Sequence, residues 1–399
     1  MGQLGGVTPQ SRKAWEEKQM SGLNGRGLAI DRRRLLTLTG GRVAAFALFG
    51  VSSSQRAYAA DNKIRWVSPR GTIEVLDDYP YWVAKKFGYF GDIETTLEPG
   101  PSDATACVKL VDQKQADVGF PSPGVFSLGL EQGMPLVSVF EMGAADVFDF
   151  AFRKGEKPSD VKGLEGKTIL LGSAGWQSIA DPMLFAAGVD IKKIKYVEAG
   201  WPTWGTALKA GKGDSALSWE GLRAQWKGQG LDFDYILGRD FSKLPANSFV
   251  IRKGDFDDQA KRKLYGRYLQ GWAAGLEFGR QNPRAATQIV MTQFPGLASQ
   301  MTPAVATESM MQLANVFAGR WDERNKWGYH IIPSWQLFFD TGRKIGQLSK
   351  DIKAEEVVKN DLVDEANSFD KAKVQADAQG FALWPDYQSV DVTAIQAAL

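Results

Sequence analysis

Short apolar segments alternate with amphipathic ones along the chain from residue 62 onwards. Residues 64–68 read as a buried strand, residues 81–90 have apolar positions at helical spacing, and residues 93–97 read as a strand again. Such alternation is typical of the α/β fold class. Seven further strands are predicted, at residues 118–120, 136–141, 148–153, 168–172, 195–198, 215–219 and 248–252.

The pattern also indicates where the chain divides. A turn at residues 163–167 leads into the predicted strand 168–172 and then into a helix that runs to Phe185, which looks like the start of a second lobe. Beyond Phe256 the spacing of apolar residues is helical almost throughout. About 340 residues follow the N-terminal segment, more than one hydrophobic core usually holds, so we expect two domains.

The first sixty residues have the pattern of an export signal. Basic residues at 32–34 precede an apolar stretch at 43–51, and a small-x-small cleavage signature, Ala-Tyr-Ala, ends at Ala59. We predict that residues 1–59 are a twin-arginine-like signal cleaved near Ala59, and that the mature protein lies in the periplasm. Asp31 stands where Ser or Thr usually precedes the arginine pair, so the Sec route stays open, as does a short membrane-anchoring helix.

Composition narrows the range of functions. Lys and Arg number 48, Asp and Glu number 46, and the net charge is +2, so the sequence argues against a nucleic-acid partner. One cysteine, Cys107, and one histidine, His330, are too few for zinc sites or for Ser-His and Cys-His catalytic pairs. We interpret Cys107 as buried helix core and His330 as structural, and we expect no metal, no cofactor and no enzymatic activity.

Four motifs follow one another in the mature part of the chain. They are residues 79–90 (YPYWVAKKFGYF), 115–119 (QADVG), 164–167 (LEGK) and 207–216 (ALKAGKGDSA). The nitrate, sulfonate and taurine binding proteins of ABC importers have similar motifs in the same order. These are a first helix that ends in Gly-Tyr-Phe, followed by Ala-Asp-Val-Gly, Leu-x-Gly-Lys and Ala-Leu-x-x-Gly-x-x-Asp-Ala. Each motif is weak alone, but four in order make the chain resemble this family, which includes thiamine-pyrimidine binding relatives.

The resemblance implies a two-lobed periplasmic binding protein fold of the type II-like kind, with two crossover strands and a ligand cleft between the lobes. Lobe one would comprise residues 60–146 and 248–345, lobe two residues 147–247, and residues 346–399 would be C-terminal helices packed on lobe one. It also implies a monomer that closes around a small molecule and delivers it to the permease of an ABC importer, and that meets the membrane only through that permease.

Candidate ligand contacts lie in loops at predicted strand ends and helix starts, where free N–H groups and polar side chains collect. Four tryptophans beside these loops favour a flat or apolar ligand body, and Glu220 would bind its amine or ring N–H. The candidates are Asp78, Tyr79, Tyr81, Trp82, Ser122, Ser173, Gly175, Trp176, Gln177, Trp201, Trp204, Trp219 and Glu220.

Several candidates also have a purely structural interpretation. Aromatic side chains are mostly core, and short polar ones often cap helices, so either role can replace ligand contact. The aromatic residues concerned are Tyr81, Trp82, Trp201 and Trp204, and the capping ones are Asp77, Asp78 and Ser173.

Two other functions stay open beside solute capture. An enzyme that makes a pyrimidine precursor uses a similar fold, but such relatives carry a cysteine-rich run and a histidine in the N-terminal lobe, which this sequence lacks. A ligand-sensing module can use the same lobes. Within the transport interpretation, the tryptophan-rich loops favour an aromatic or heterocyclic compound, or a sulfonate with an organic tail, over nitrate or bicarbonate.

Overall fold

The computed structural model of the protein describes residues 62–101 and 105–399. The predicted export signal and its cleavage position therefore lie outside the described residues. Within them, no helix has the length and apolar character that crossing a membrane requires. The described residues form ten strands in two five-stranded sheets, with helices packed around both.

The first sheet has the strand order β2, β1, β3, β10, β4. β1 pairs in parallel with β2 and β3, whereas β10 runs antiparallel to β3 and β4. Its core is aromatic, because Trp66 on β1 and Phe249 on β10 both contact Trp272. The strands are β1 (Lys63–Val67), β2 (Glu94–Glu98), β3 (Val118–Gly119), β4 (Leu136–Glu141) and β10 (Ser248–Arg252).

The second sheet has the order β7, β6, β8, β5, β9. β6 pairs in parallel with β7 and β8, and β5 runs antiparallel to β8 and β9. Each sheet thus contains parallel strands and one strand of opposite direction that adjoins a segment linking the two sheets. The strands are β5 (Phe148–Arg153), β6 (Thr168–Leu171), β7 (Lys195–Glu198), β8 (Ser215–Trp219) and β9 (Phe233–Leu237).

Two segments link the sheets, residues 142–147 between β4 and β5 and residues 238–247 between β9 and β10. They run side by side and are hydrogen-bonded to each other. The Ser242 hydroxyl donates to the Asp146 carboxylate at 2.6 Å, and the Ala246 amide donates to the Gly143 carbonyl at 3.1 Å. The chain therefore passes twice through one narrow region between the sheets.

α-Helices separate most of the consecutive strands, although none lies between β4 and β5 or between β5 and β6, and helices make up most of the chain after β10. They are α1 (Tyr79–Phe87), α2 (Ala106–Asp112), α3 (Pro123–Glu131), α4 (Gln177–Ala186), α5 (Trp204–Lys209), α6 (Leu222–Gly228), α7 (Gly238–Phe241), α8 (Lys253–Asp257), α9 (Gln259–Gln281), α10 (Pro283–Gln293), α11 (Pro295–Ala298), α12 (Pro303–Phe317), α13 (Trp321–Arg324), α14 (Ile332–Lys344), α15 (Ala354–Val357), α16 (Val363–Ala366), α17 (Lys371–Gln379), α18 (Pro385–Gln388) and α19 (Val392–Ala398). Three short 3-10 helices span Val161–Leu164, Ala174–Trp176 and Ile191–Lys193.

The helices after β10 contact the layers of both sheets. α9 packs against α1 beside the first sheet, and α16 and α17 pack on α9 in turn. The approach of α1 to α9 requires Gly275, because a Cβ there would overlap the Pro80 carbonyl oxygen. α12 packs against α6 of the second sheet, where the Ser309 hydroxyl donates to the Gly221 carbonyl at 2.7 Å.

All nine predicted strands are present, and β9 is the strand that the pattern did not predict. β9 is an edge strand with four of its five residues only partly buried, so it lacks a clear apolar signal. The first helix was predicted at residues 81–90 but ends at Phe87. Gly88 terminates it with a left-handed backbone, φ 70°, and its N–H donates to the Ala84 carbonyl.

Candidate functional site

A cavity of about 90 Å³ lies between the two sheets beside the linking segments, with room for several waters. Most of the side chains that line it are apolar or aromatic. The first-sheet side contributes Pro69, Arg70, Asp77, Phe120, Ser122 and Val125, and the second-sheet side contributes Phe148, Trp176, Ile179, Leu217, Ser218 and Trp219. The linking segments add Met142, Gly143, Val147, Ala246 and Asn247, and α12 adds Leu313 and Phe317.

Strand ends explain why these side chains meet. Arg70 follows β1, Phe120 follows β3 and Trp176 follows β6, so the parallel strands of both sheets point their carboxyl ends towards the cavity. Ligands of open α/β sheets bind beyond such carboxyl ends, because the loops there converge. The position of the cavity therefore follows from the topology of both sheets.

Trp219 forms an aromatic wall on the second-sheet side. Trp201 stacks on it with centroids 5.4 Å apart and planes at 12°, and Trp204 lies 5.8 Å away at 19°. Trp204 is buried, and its indole N–H donates to the Leu217 carbonyl at 2.9 Å. Two tryptophans thus hold the ring of Trp219 in place from behind.

Trp176 forms a second wall at right angles to the first. Its ring meets that of Trp219 edge-on, with centroids 6.0 Å apart and planes at 88°. The ring lies directly over Gly172, where a Cβ would come within 2.5 Å of the indole. Gly172 at the end of β6 therefore makes room for this wall.

The polar end of the cavity is a buried charge cluster on the first-sheet side. Arg70 donates two hydrogen bonds to the Asp78 carboxylate, at 2.8 and 2.7 Å. Arg70 also forms an ion pair with Asp77 at 3.4 Å. Asp78 lies behind Arg70 and away from the cavity, whereas Asp77 and Arg70 both line it. With all three side chains ionised, the cluster carries one net negative charge.

Only one carboxylate oxygen of Asp77 has a partner in this cluster. Its side chain is buried, with 6% of the residue exposed, and Oδ1 has no hydrogen-bond partner within the described ranges. Burial raises the pKa of Asp77 to about 6, while Arg70 opposes this shift and the neighbouring Asp78 adds to it. The cavity therefore presents a carboxylate oxygen that lacks a donor.

Comparison with known protein families identifies the family of this chain. A family model described as NMT1/THI5 like matches residues 77–286, more than half of the chain. The chain belongs to the NMT1/THI5-like family. The match confirms the family resemblance drawn from the sequence motifs. No curated protein sequence matches the chain.

Solved structures share the fold of this NMT1/THI5-like protein at low sequence identity. The periplasmic nitrate-binding protein NrtA from Synechocystis PCC 6803 has a TM-score of 0.59 and 12% identity, covering 84% of this chain and 99% of that one. The alkanesulfonate-binding protein SsuA from Xanthomonas axonopodis pv. citri, bound to MOPS, has a TM-score of 0.56 and 12% identity, covering 75% and 98%. The expected fold, α/β with the architecture of periplasmic binding proteins, is confirmed.

Three of the thirteen sequence-predicted site residues in this NMT1/THI5-like chain line the cavity: Ser122, Trp176 and Trp219. Ser122 also caps α3, because its hydroxyl accepts a hydrogen bond from the Val125 amide at 3.3 Å. Gly175 and Ser173 lie beside Trp176 in the same turn, and Gln177 is exposed and donates to Asp181 at 3.0 Å. Trp201 and Trp204 lie behind Trp219.

The predicted contacts on α1 lie behind the cavity. Tyr79 is buried and stacks on Phe317, and the Tyr81 hydroxyl donates to the Thr95 carbonyl at 3.0 Å. Trp82 packs edge-on against Phe294. Asp78 precedes the helix, but its side chain caps no backbone N–H and pairs with Arg70 instead.

Glu220 is fully buried and does not belong to the cavity lining. Its carboxylate pairs with the Arg223 guanidinium and lies 3.3 Å from Arg239. Its backbone N–H donates to the Val147 carbonyl at 2.9 Å, which ties the end of β8 to a linking segment. Glu220 therefore pairs with one arginine of α6 and one of a linking segment, and does not face the cavity.

The lining residues that were not predicted as ligand contacts from the sequence include Arg70, Asp77, Asn247 and Phe317. Arg70 could have been found, because it follows β1 in the sequence Ser-Pro-Arg-Gly and the strand-end rule applies to it. Phe317 gave no such signal. It sits at the end of α12, and only the packing of that helix brings it to the cavity.

Proposed function

We propose that this protein is an extracytoplasmic solute-binding protein, without enzymatic activity, that captures a small organic molecule for an ABC importer. The observation that carries the proposal is the aromatic-lined cavity between the two sheets, beside the two segments that link them. Family membership and the shared fold support the same assignment. The predicted signal at residues 1–59 supports delivery to the periplasm, and the permease of the importer is the expected partner.

The lining supports an organic ligand over a small inorganic anion. Trp176, Trp219, Phe120, Phe148 and Phe317 offer flat apolar surfaces of a size that suits an aromatic or heterocyclic body. An inorganic anion needs several converging donors or a free cation. Arg70 is the cation among the described lining residues, and two aspartates already pair with it.

Closure on the ligand would couple binding to transport. A molecule in this cavity touches side chains of both sheets, so it favours the arrangement in which the two sides are close. The two adjacent, antiparallel linking segments at residues 142–147 and 238–247 are the natural hinge for such a movement. A monomer suffices for this cycle, because each chain has its own cavity.

The one histidine supports a binding role over catalysis. His330 Nε2 lies 2.7 Å from the Ser138 hydroxyl and Nδ1 lies 3.0 Å from Asn360 Oδ1, an order reminiscent of a nucleophile and its base. Ser138 and His330 are completely buried, however, and neither lines the cavity. Burial also lowers the pKa of His330 to about 3, so the ring is neutral and structural.

Thermal unfolding of the purified protein tests the proposal. The panel comprises nitrate, taurine, alkyl and aryl sulfonates, aromatic carboxylates, aryl amines and heterocycles, and any molecule released by denaturation is identified by mass spectrometry. A ligand that binds only the native state stabilises it by about 2.7 kcal/mol at a hundredfold excess over Kd. Stabilisation by an organic solute, without its chemical conversion, is expected. Stabilisation by nitrate alone, or turnover of the ligand, would contradict the proposal.

A further inference from the structure

The polar end of the cavity contains a negatively charged hydrogen-bond acceptor, a carboxylate oxygen. Asp77 Oδ1 is buried, lines the cavity and has no hydrogen-bond partner among the described residues. A buried carboxylate oxygen without a donor is unfavourable, and an incoming donor would satisfy it. We therefore expect the ligand to donate a hydrogen bond to Asp77.

Arg70 does not turn this end into an anion site. Its Nη2 donates to both oxygens of Asp78, and its Nη1 lies 3.4 Å from the Asp77 carboxylate. Two further buried N–H groups, Arg70 Nε and Trp219 Nε1, make no hydrogen bond of normal geometry among the described residues, although the Trp219 indole is near enough to lower the pKa of Asp77. A neutral oxygen of the ligand therefore has a place here. An anion in the same place would lie beside two carboxylates and one guanidinium, and the net charge of the cluster would repel it.

The walls around the polar end suit a cation. The faces of aromatic rings attract an ammonium group, most strongly where water is excluded. Trp219, Trp176 and Phe148 line the same cavity as Asp77, and the Trp219 indole lies close enough to Asp77 to lower its pKa. A protonated amine here would neutralise the net negative charge and meet both a carboxylate and aromatic rings.

We infer that the cavity selects an organic cation, a protonated amine on an apolar or aromatic body, with Asp77 as the residue that receives the ammonium group. This inference rests on the proposed solute-binding function and specifies the ligand class. It differs from the alkanesulfonate and nitrate named for the two structural neighbours, which are anions.

Three probes with one ring and one linker test the charge preference. They are 2-phenylethylamine, 2-phenylethanol and 2-phenylethanesulfonate, measured by calorimetry and thermal unfolding at pH 7.5 with millimolar probe. The amine is expected to bind at least about tenfold more tightly than the alcohol, and the sulfonate more weakly than either. Equal or tighter binding of the sulfonate, or no binding of the amine, overturns the inference.

The variant Asp77→Asn assigns the preference to one side chain. It should lower the affinity for 2-phenylethylamine by about tenfold or more and leave that for 2-phenylethanol unchanged. Asp386→Asn, which removes an exposed carboxylate, is the matched control and should change neither. The melting temperature without probe reports whether the variant is folded. An unchanged amine affinity in folded Asp77→Asn overturns the role of Asp77.

The same experiments separate this inference from the proposed function. If the sulfonate binds and the amine does not, the inference fails and solute capture stands. If no probe binds and the purified protein releases no organic molecule on denaturation, the proposed function fails with it.

Discussion

Asp146 accepts a hydrogen bond of 2.6 Å from the Ser242 hydroxyl, and this contact joins the two segments that link the sheets. Asp146 is buried, and its second interaction is with the Phe148 amide at 3.1 Å. Burial raises its pKa to about 7, although both hydrogen bonds oppose the shift. A titratable carboxyl therefore sits at the proposed hinge, and it links stability to pH.

The contribution of Asp146 to the free energy of unfolding should fall as the pH rises from about 4 to about 7. The folded-state pKa of Asp146 lies above the unfolded value, so the folded protein binds the proton more tightly and loses this advantage as the carboxyl ionises. Glu141 and Asp77, with pKa values raised to about 7 and about 6, act in the same direction, whereas the buried His330, with its pKa lowered to about 3, acts in the opposite direction. Denaturant unfolding of the ligand-free protein across this range measures the effect.

Asp146→Asn should flatten part of this pH dependence and stabilise the protein at pH 8, because the amide cannot ionise. Each unit of pKa difference corresponds to about 1.4 kcal/mol. Ser242→Ala should act in the opposite direction and destabilise at pH 8, by about 1–3 kcal/mol, because it removes a donor from a buried carboxylate. A pH profile of Asp146→Asn identical to that of the parent protein would show that another group carries the dependence.

Trp219→Phe should weaken ligand binding by about tenfold, equivalent to 1.4 kcal/mol, because it removes ring area and the indole N–H from the cavity. It should also remove much of the tryptophan fluorescence change that accompanies binding. Calorimetry with the molecule recovered from the native protein, or with 2-phenylethylamine, measures the affinity. Trp384→Phe is the control, since Trp384 is 53% exposed and remote from the lining.

Trp204→Ala is expected to lower the stability of the fold. The side chain is 1% exposed and supports Trp219 from behind, so its removal opens a large cavity in the core. A loss of about 3 kcal/mol or more in the free energy of unfolding is expected. A loss below about 1 kcal/mol in denaturant unfolding would contradict its assignment as core.

Gly124→Ala should weaken ligand binding without a matching loss in the stability of the ligand-free protein. Gly124 in α3 lies so close to the Ser178 carbonyl in α4 that a Cβ would overlap it, and these helices belong to opposite sides of the cavity. The added methyl would hold the two sides apart. Gly254→Ala is the matched control, because a Cβ there meets no atom within 4 Å. Equal ligand affinities for the two variants would argue against closure at this contact.

Glu220→Gln should leave ligand affinity within about twofold and lower the free energy of unfolding by about 1–3 kcal/mol. The sequence suggested a ligand contact, whereas the structure pairs Glu220 with Arg223 and Arg239. Glu356→Gln, at an exposed position, controls for the loss of one charge. Selective loss of amine binding in folded Glu220→Gln would restore the role that the sequence suggested.

Much of the fold could be predicted from local sequence patterns. Strands and helices follow from the local spacing of apolar residues, and that spacing predicts nine of the ten strands and the helical region beyond Phe256. The spacing did not predict the edge strand β9, because four of its five residues are only partly buried. The four motifs sufficed for the family, since family membership depends on local sequence in a fixed order.

Long-range packing determines which of the candidate residues reach the cavity. Trp176 and Trp219 line it while Trp204 supports them, although all three look alike as tryptophans near strand ends. Glu220 and Asp77 exchanged their expected importance. Each has one carboxylate oxygen without a hydrogen-bond donor among the described residues, but Asp77 lines the cavity, whereas Glu220 lies outside the lining and pairs with two arginines. Burial and pairing depend on residues distant in the chain, and local patterns do not contain that information.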